Sequence, residues 1–292
     1  MPDRTVKWLL WQLAHANLVL AVSTAAAVYV VCLLLSIPPD PRLIAIPFLV
    51  TFAIYNFNRH TDKSEDTINH PKRVEFIKKY GKGLAIVSVF TYLIAVILSF
   101  YGGRGAQLIV MLPLITLLLY SLRWYPRNSH TARRLKEMFI IKNTVVSVAW
   151  AGSVTFLPVL YFDLPITIPA VLLFIFFFFR FFINTTVFDL RDILGDKKGE
   201  IRSIPVVLGY EKTRNVLQAL NLLVGVVFLE ITMLGLLPQL SLLLVFSTVY
   251  TFVYLTALKL RRDVHFICDV IVDGEYLALA VFYYLMIYWP VI

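Results

Sequence analysis

Long apolar stretches alternate with short polar ones along almost the whole chain. A membrane-spanning helix needs about 20 mostly apolar residues, and nine segments approach or exceed that length: 8–37, 43–57, 84–101, 106–122, 139–161, 166–188, 216–237, 240–260 and 276–291. The second is short unless its helix runs on past Asn58. Continuation is the economical solution, because Asn58, Asp62 and Asp66 recur every four residues and so share one helical face. The pattern predicts an all-α integral membrane protein with nine transmembrane helices, a single domain over residues 1–292. The first apolar run follows Lys7 without a small-residue cleavage site, so it is expected to stay in the mature chain.

Composition agrees: 59% of residues are hydrophobic, mean hydropathy is +0.78, and 15% are charged, against roughly 25% in an ordinary soluble domain. The distribution of Lys and Arg tests the count of spans, since cytoplasmic loops carry the excess of positive charge. Of the 27 Lys and Arg, all but three fall in the N-terminal tail or in the connections after segments 2, 4, 6 and 8. Only Arg42 and Arg104 lie on the other side, and Arg180 lies inside segment 6. This predicts a cytoplasmic N-terminus. The net charge of +9 is then explained by topology and contact with anionic lipid in the bilayer, and nucleic-acid binding is not expected. Cys32 and Cys268 read as small core residues, and the five His show no metal-ligand spacing.

Two acidic constellations fall on the same side of the membrane. Asp189, Asp192 and Asp196, spaced i, i+3, i+7, share a helical face at the end of segment 6, as Asn58, Asp62 and Asp66 do at the end of segment 2. Five carboxylates on two faces would repel one another and be costly within the bilayer. They are therefore expected at the interface, with something cationic between them. Hard oxygen donors without Cys or His at ligand spacing select Mg2+, which is typically held by a few carboxylates plus substrate phosphates. The same rim carries Arg59, Lys72, Arg73, Arg123, Lys136, Lys142 and Arg191. Carboxylates with Mg2+, ringed by bases, would hold a diphosphate whose apolar tail enters the bundle. Aromatics there include Phe174–Phe182, Tyr55, Phe57, Tyr283 and Tyr284; those facing a cavity could stabilise a carbocation.

The first motif, and the second with its following Lys197-Lys198-Gly199 and Ser203-Ile204-Pro205-Val206-Val207-Leu208-Gly209, resemble the two aspartate-rich signatures of the UbiA superfamily of intramembrane prenyltransferases. The resemblance implies helices around a central cavity, with the motifs facing each other across two Mg2+ ions and a prenyl diphosphate such as geranyl or geranylgeranyl diphosphate. The implied reaction ionises the allylic C–O bond, passes the carbocation to a lipophilic acceptor and releases diphosphate. The implied metal and catalytic residues are Asn58, Asp62, Asp66, Asp189, Asp192 and Asp196. For the diphosphate the candidates are Arg59, Arg123, Lys142 and Arg191, with Tyr120 and Lys136 as counterparts of a family Tyr and Lys pair, here at longer spacing. An aromatic or quinone-precursor acceptor is expected, a glycerol phosphate ether lipid being the alternative. The two motifs lie 130 positions apart, which suggests two similar four-helix halves with a ninth helix appended.

Lone polar residues inside the segments add further expectations. Arg180 is expected to face the cavity, with Glu230 as a candidate partner, and an intramembrane Arg is functional by default. Asn184 is a second candidate cavity residue, although interhelical hydrogen bonding is expected of it and of His15 and Asn17. Asp269 and Asp273 read as a solvated helix start, where acids suit the helix dipole. A cation-coupled secondary transporter is the alternative from another class, but its sites belong near mid-membrane on broken helices, and here the carboxylates cluster at helix ends.

Overall fold

The computed structural model describes residues 12–61, 71–121, 139–259 and 263–288, and among them every regular element is helical. Each of the nine predicted segments overlaps one helix: α1 (Leu18–Leu34), α2 (Pro41–Thr61), α3 (Pro71–Ser99), α4 (Arg104–Ser121), α5 (Ile141–Tyr161), α6 (Ile168–Lys198), α7 (Tyr210–Met233), α8 (Val245–Lys259) and α9 (Glu275–Tyr288). By length and apolarity five helices are able to cross a membrane. They become six if α9 is joined to the short helical stretch before it, across a 46° bend. The structure therefore shows an integral membrane bundle with five to six such helices among the described residues, short of the nine expected.

Two departures from the predicted segments have local causes. The first segment is broken at Ala16 and Asn17, where Asn17 takes a left-handed conformation (φ 58°). The Asn56 side chain of α2 donates to the Ala16 carbonyl there and accepts from Asn17 Nδ2, both at 3.0 Å. The ninth segment is preceded by a turn of wide π geometry, Ile267–Val272, and bends at Asp273 and Gly274. A Cβ on Gly274 would lie 2.6 Å from the Val270 carbonyl oxygen, so the bend leaves room only for glycine.

Helix packing places α5 inside and α3 outside: 61% of the apolar stretch of α5 is buried, against 17% for α3. On α3 the side chains Ile86, Phe90, Leu93 and Ile97 face outward, as expected of a surface whose solvent is lipid. Small residues permit close approach elsewhere in the bundle. Ala21, Ser23, Ala27 and Ala151 are buried on α1 and α5. Gly225 of α7 lies so near Thr248 of α8 that an added Cβ would come within 2.5 Å of its side chain. Pro47, Pro113 and Pro158 sit inside α2, α4 and α5, each removing one backbone hydrogen bond.

The long α6 sets the height of the functional end. Its 31 residues span about 46 Å at ~1.5 Å per residue, well beyond a hydrocarbon core of about 30 Å. Its last turns, which carry Asp189, Asp192 and Asp196, thus reach the membrane edge while its middle crosses the bundle. The helix interface at Gly225 gives a direct test of the packing. Gly225→Val should force α7 and α8 apart and cost about 1–3 kcal/mol, read as a lower thermal unfolding temperature of the purified protein. Val226→Leu, at an exposed neighbouring position, should leave that temperature within about a degree or two.

Candidate active site

A cavity of about 260 Å³ opens between α2, α4, α5 and α6. Its polar end is built from Asn58 of α2, Lys142 and Asn143 of α5, and Asp189, Arg191 and Asp192 of α6. Its apolar walls include Ile54, Tyr55, Pro113, Val146, Trp150 and Phe188. The structure thus brings together one member of the first acidic motif, two of the second and two basic residues.

Each cavity carboxylate is already met by a cation. Asp189 accepts from Lys142 Nζ at 2.6 Å and from Asn143 Nδ2 at 2.9 Å. Asp192 takes a forked pair of hydrogen bonds from Arg191 Nε and Nη2, both at 2.9 Å. The third arm of Arg191 donates to Asp269, and its guanidinium lies 5.1 Å from the centre of the Phe188 ring. The planar fork of Arg suits this double engagement of carboxylates. Asp196 lies one turn beyond and is buried; its Oδ2 has no hydrogen-bond partner among the described residues.

Among the described residues no three acidic, His or Cys side chains converge as a metal cage. The donors that do line or adjoin the cavity are amide and carboxylate oxygens, the chemistry that suits Mg2+, and the buried Oδ2 of Asp196 adds an unsatisfied one. The chemistry of these donors fits Mg2+. Asp62, Asp66, Arg123 and Lys136 lie outside the described residues, as does the side chain of Tyr120. Arg59 donates to the His15 carbonyl, beside the break before α1, and does not line the cavity.

Arg180 corrects an expectation. It is fully buried away from the cavity, and its partner is Glu275 of α9 rather than Glu230, which is exposed. Arg180 Nε reaches Glu275 Oε1 at 3.0 Å, while Nη1 donates to Asn221 and Nη2 to the Ser247 carbonyl and Thr251. Asn184 completes the network, donating to Glu275 Oε2 at 3.2 Å and accepting from Tyr254 at 2.8 Å. The guanidinium cannot remain bare at this depth, and three helices, α7, α8 and α9, supply its acceptors. Asn184 also lines a space of about 20 Å³ beside the main cavity, together with Asp273.

Asp269 and Asp273 correct another. They are 8% and 9% exposed, not a solvated helix start, because the bend before α9 turns this stretch inward against α6. Of the aromatics singled out in sequence, Tyr55 lines the cavity, Phe57 and Tyr284 face outward, and Tyr283 is buried and donates to the Leu240 carbonyl. Trp150, Asn143, Glu275 and Asp269 were not foreseen as site or network residues. A polar residue next to Lys142 and an aromatic inside segment 5 were the available signals for two of them.

The model of the UbiA prenyltransferase family matches residues 9–265. No curated protein sequence matches the chain. Among solved structures, an apo UbiA homolog from Aeropyrum pernix K1 superposes with a TM-score of 0.67 at 14% identity, covering 92% of this chain and 96% of that one. A UbiA homolog from Archaeoglobus fulgidus bound to GPP and Mg2+ gives 0.64 at 12% identity, covering 96% and 98%. A structure of digeranylgeranylglyceryl phosphate synthase gives 0.57 at 19% identity, covering 93% and 96%.

The buried ion pair makes a prediction about stability. Glu275→Ala leaves Arg180 charged and unpaired and should cost about 3–5 kcal/mol. Replacing both partners, Arg180→Met with Glu275→Leu, should recover more than half of that loss in thermal unfolding of the purified protein.

Proposed function

The chain belongs to the UbiA prenyltransferase family, and we propose that its reaction centre is the cavity between α2, α4, α5 and α6. There it transfers a prenyl group from an allylic prenyl diphosphate to a lipophilic acceptor. The observation that carries this reading is the juxtaposition, in one cavity, of Asn58, Asp189 and Asp192 with Lys142 and Arg191 above apolar and aromatic walls. The Mg2+ and GPP of the Archaeoglobus fulgidus homolog support it.

Asn58, Asp62, Asp66, Asp189, Asp192 and Asp196 would hold two Mg2+ ions. Bound there, Mg2+ neutralises the charge that grows on the departing diphosphate. Lys142 and Arg191 stand at the cavity wall, where their hydrogen bonds can pass from carboxylate to phosphate oxygens. Arg59, Tyr120, Arg123 and Lys136 are proposed to extend this basic rim. The allylic C–O bond breaks with its electron pair going to the diphosphate. The acceptor then donates an electron pair to the allylic cation and releases a proton. Tyr55 and Phe188 offer π faces to the cation near the polar end, and the apolar walls keep water from it.

All nine helices are proposed to cross the bilayer, with the N-terminus and the rim cytoplasmic, on the strength of the Lys and Arg distribution. An aromatic or quinone-precursor acceptor is the first reading. A glycerol phosphate ether lipid is the second, favoured by the structural likeness to digeranylgeranylglyceryl phosphate synthase. Membership of an enzyme family sets aside the transporter alternative.

Purified protein offered labelled prenyl diphosphates with a panel of aromatic and glycerol phosphate ether acceptors should form a prenylated product with Mg2+ and lose that activity in EDTA. Asp189→Ala and Asp192→Ala should each lower turnover by about 100-fold or more; turnover that persists in EDTA or in both variants would defeat the proposal. Asp269→Asn frees one arm of Arg191 and should raise KM for the diphosphate several-fold with a smaller change in kcat, and Asp269→Glu should restore most of it.

A further inference from the structure

The cavity has a visible end. On α5, Val146 and Ala149 line the upper space, Ser153, Val154 and Leu157 line a second, mostly apolar space of about 10 Å³ directly below, and Trp150 lines both. The helices on either side repeat this order. Tyr55 of α2 faces the upper space and Val50 the lower, while Pro113 of α4 touches both. The two spaces thus lie in line along α2, α4 and α5, with α6 beside the upper one and Thr24 of α1 beside the lower, and Trp150 and Pro113 stand between them.

The indole is fixed where it stands. Its ring stacks on that of Tyr55 with centroids 5.7 Å apart and planes inclined by 28°, a favourable offset arrangement for two aromatic rings. Trp150 is 7% exposed. It lies seven residues along α5 from Asn143, the donor to Asp189, hence about 10 Å deeper than the polar rim.

We propose that Trp150, braced by Tyr55, is the floor that limits the length of prenyl tail this site accepts. The proposal rests on the prenyl diphosphate reading of the cavity. A diphosphate anchored at the rim sends its tail down the upper space, and each added isoprene unit gains contact with the walls until the tail meets the indole. A longer tail has to displace the stacked pair. Removing the indole joins the upper and lower spaces and lengthens the path along the same three helices.

The test uses non-hydrolysable prenyl thiolodiphosphates with ten-carbon and twenty-carbon tails, titrated with Mg2+ against the full-length protein in lipid nanodiscs. The readout is the ratio of the two dissociation constants within each preparation, so a loss of folded protein does not alter it. The wild type is expected to bind the ten-carbon analogue more tightly. Trp150→Ala should move the ratio by about tenfold or more toward the twenty-carbon analogue. Tyr55→Leu should move it in the same direction by removing the brace, and Trp150→Phe, which keeps an aromatic ring, should move it least. An equal ratio in wild type and all three variants overturns the proposal, because the tail then leaves by another route, such as sideways into lipid. Binding of neither analogue to the wild type overturns the prenyl diphosphate reading itself, a result distinct from an unchanged ratio.

Discussion

A charge inside a bilayer has to be paired with another group of the protein, and this chain meets that constraint at two depths. In the middle of the bundle Arg180 and Glu275 are fully enclosed, and Asn184, Asn221, Ser247 and Thr251 take up their remaining hydrogen bonds. At the rim, Lys142 meets Asp189, and Arg191 lies between Asp192 and Asp269. The deep set is closed on all sides and joins α6, α7, α8 and α9. The rim set opens onto a cavity.

This difference in enclosure separates structure from function in a molecule where both use the same residue types. Truncating one half of a buried pair strands the other half in a low dielectric, which makes the deep network a clamp on helix positions. At the rim the same pairing sets acids and bases side by side on the cavity wall. A diphosphate carrying Mg2+ brings both signs of charge, so it can satisfy the acids and the bases together. α6 connects the two layers, since Arg180 and Asp189 lie on one continuous helix.

Much of this was legible in the sequence. The spacing of Asp189, Asp192 and Asp196 put them on one face of a helix that runs past its apolar stretch, and the structure has α6 unbroken from Ile168 to Lys198. The positions of the helices followed from hydrophobic pattern because lipid imposes that pattern on each helix separately. Pairings between distant helices did not follow. Arg180 meets Glu275 across 95 positions and Arg191 meets Asp269 across 78, and no local pattern encodes which acid a given base will reach. The bend before α9 hid a further feature, since it turns Asp269 and Asp273 inward from what reads as an ordinary helix start. The stack of Tyr55 on Trp150 was equally silent, because each residue alone looks like one more membrane aromatic.

The rim pairs are proposed to form a site for a metal-bound diphosphate. The most direct measurement is a crystal structure with Mn2+ in place of Mg2+ and a prenyl thiolodiphosphate, with the metal located by its anomalous scattering. Anomalous peaks are expected at the polar end of the cavity beside Asp189 and Asp192, with Lys142 and Arg191 turned from those carboxylates toward the diphosphate. Metal and diphosphate bound elsewhere, with the Lys142–Asp189 and Arg191–Asp192 pairs intact, would contradict it.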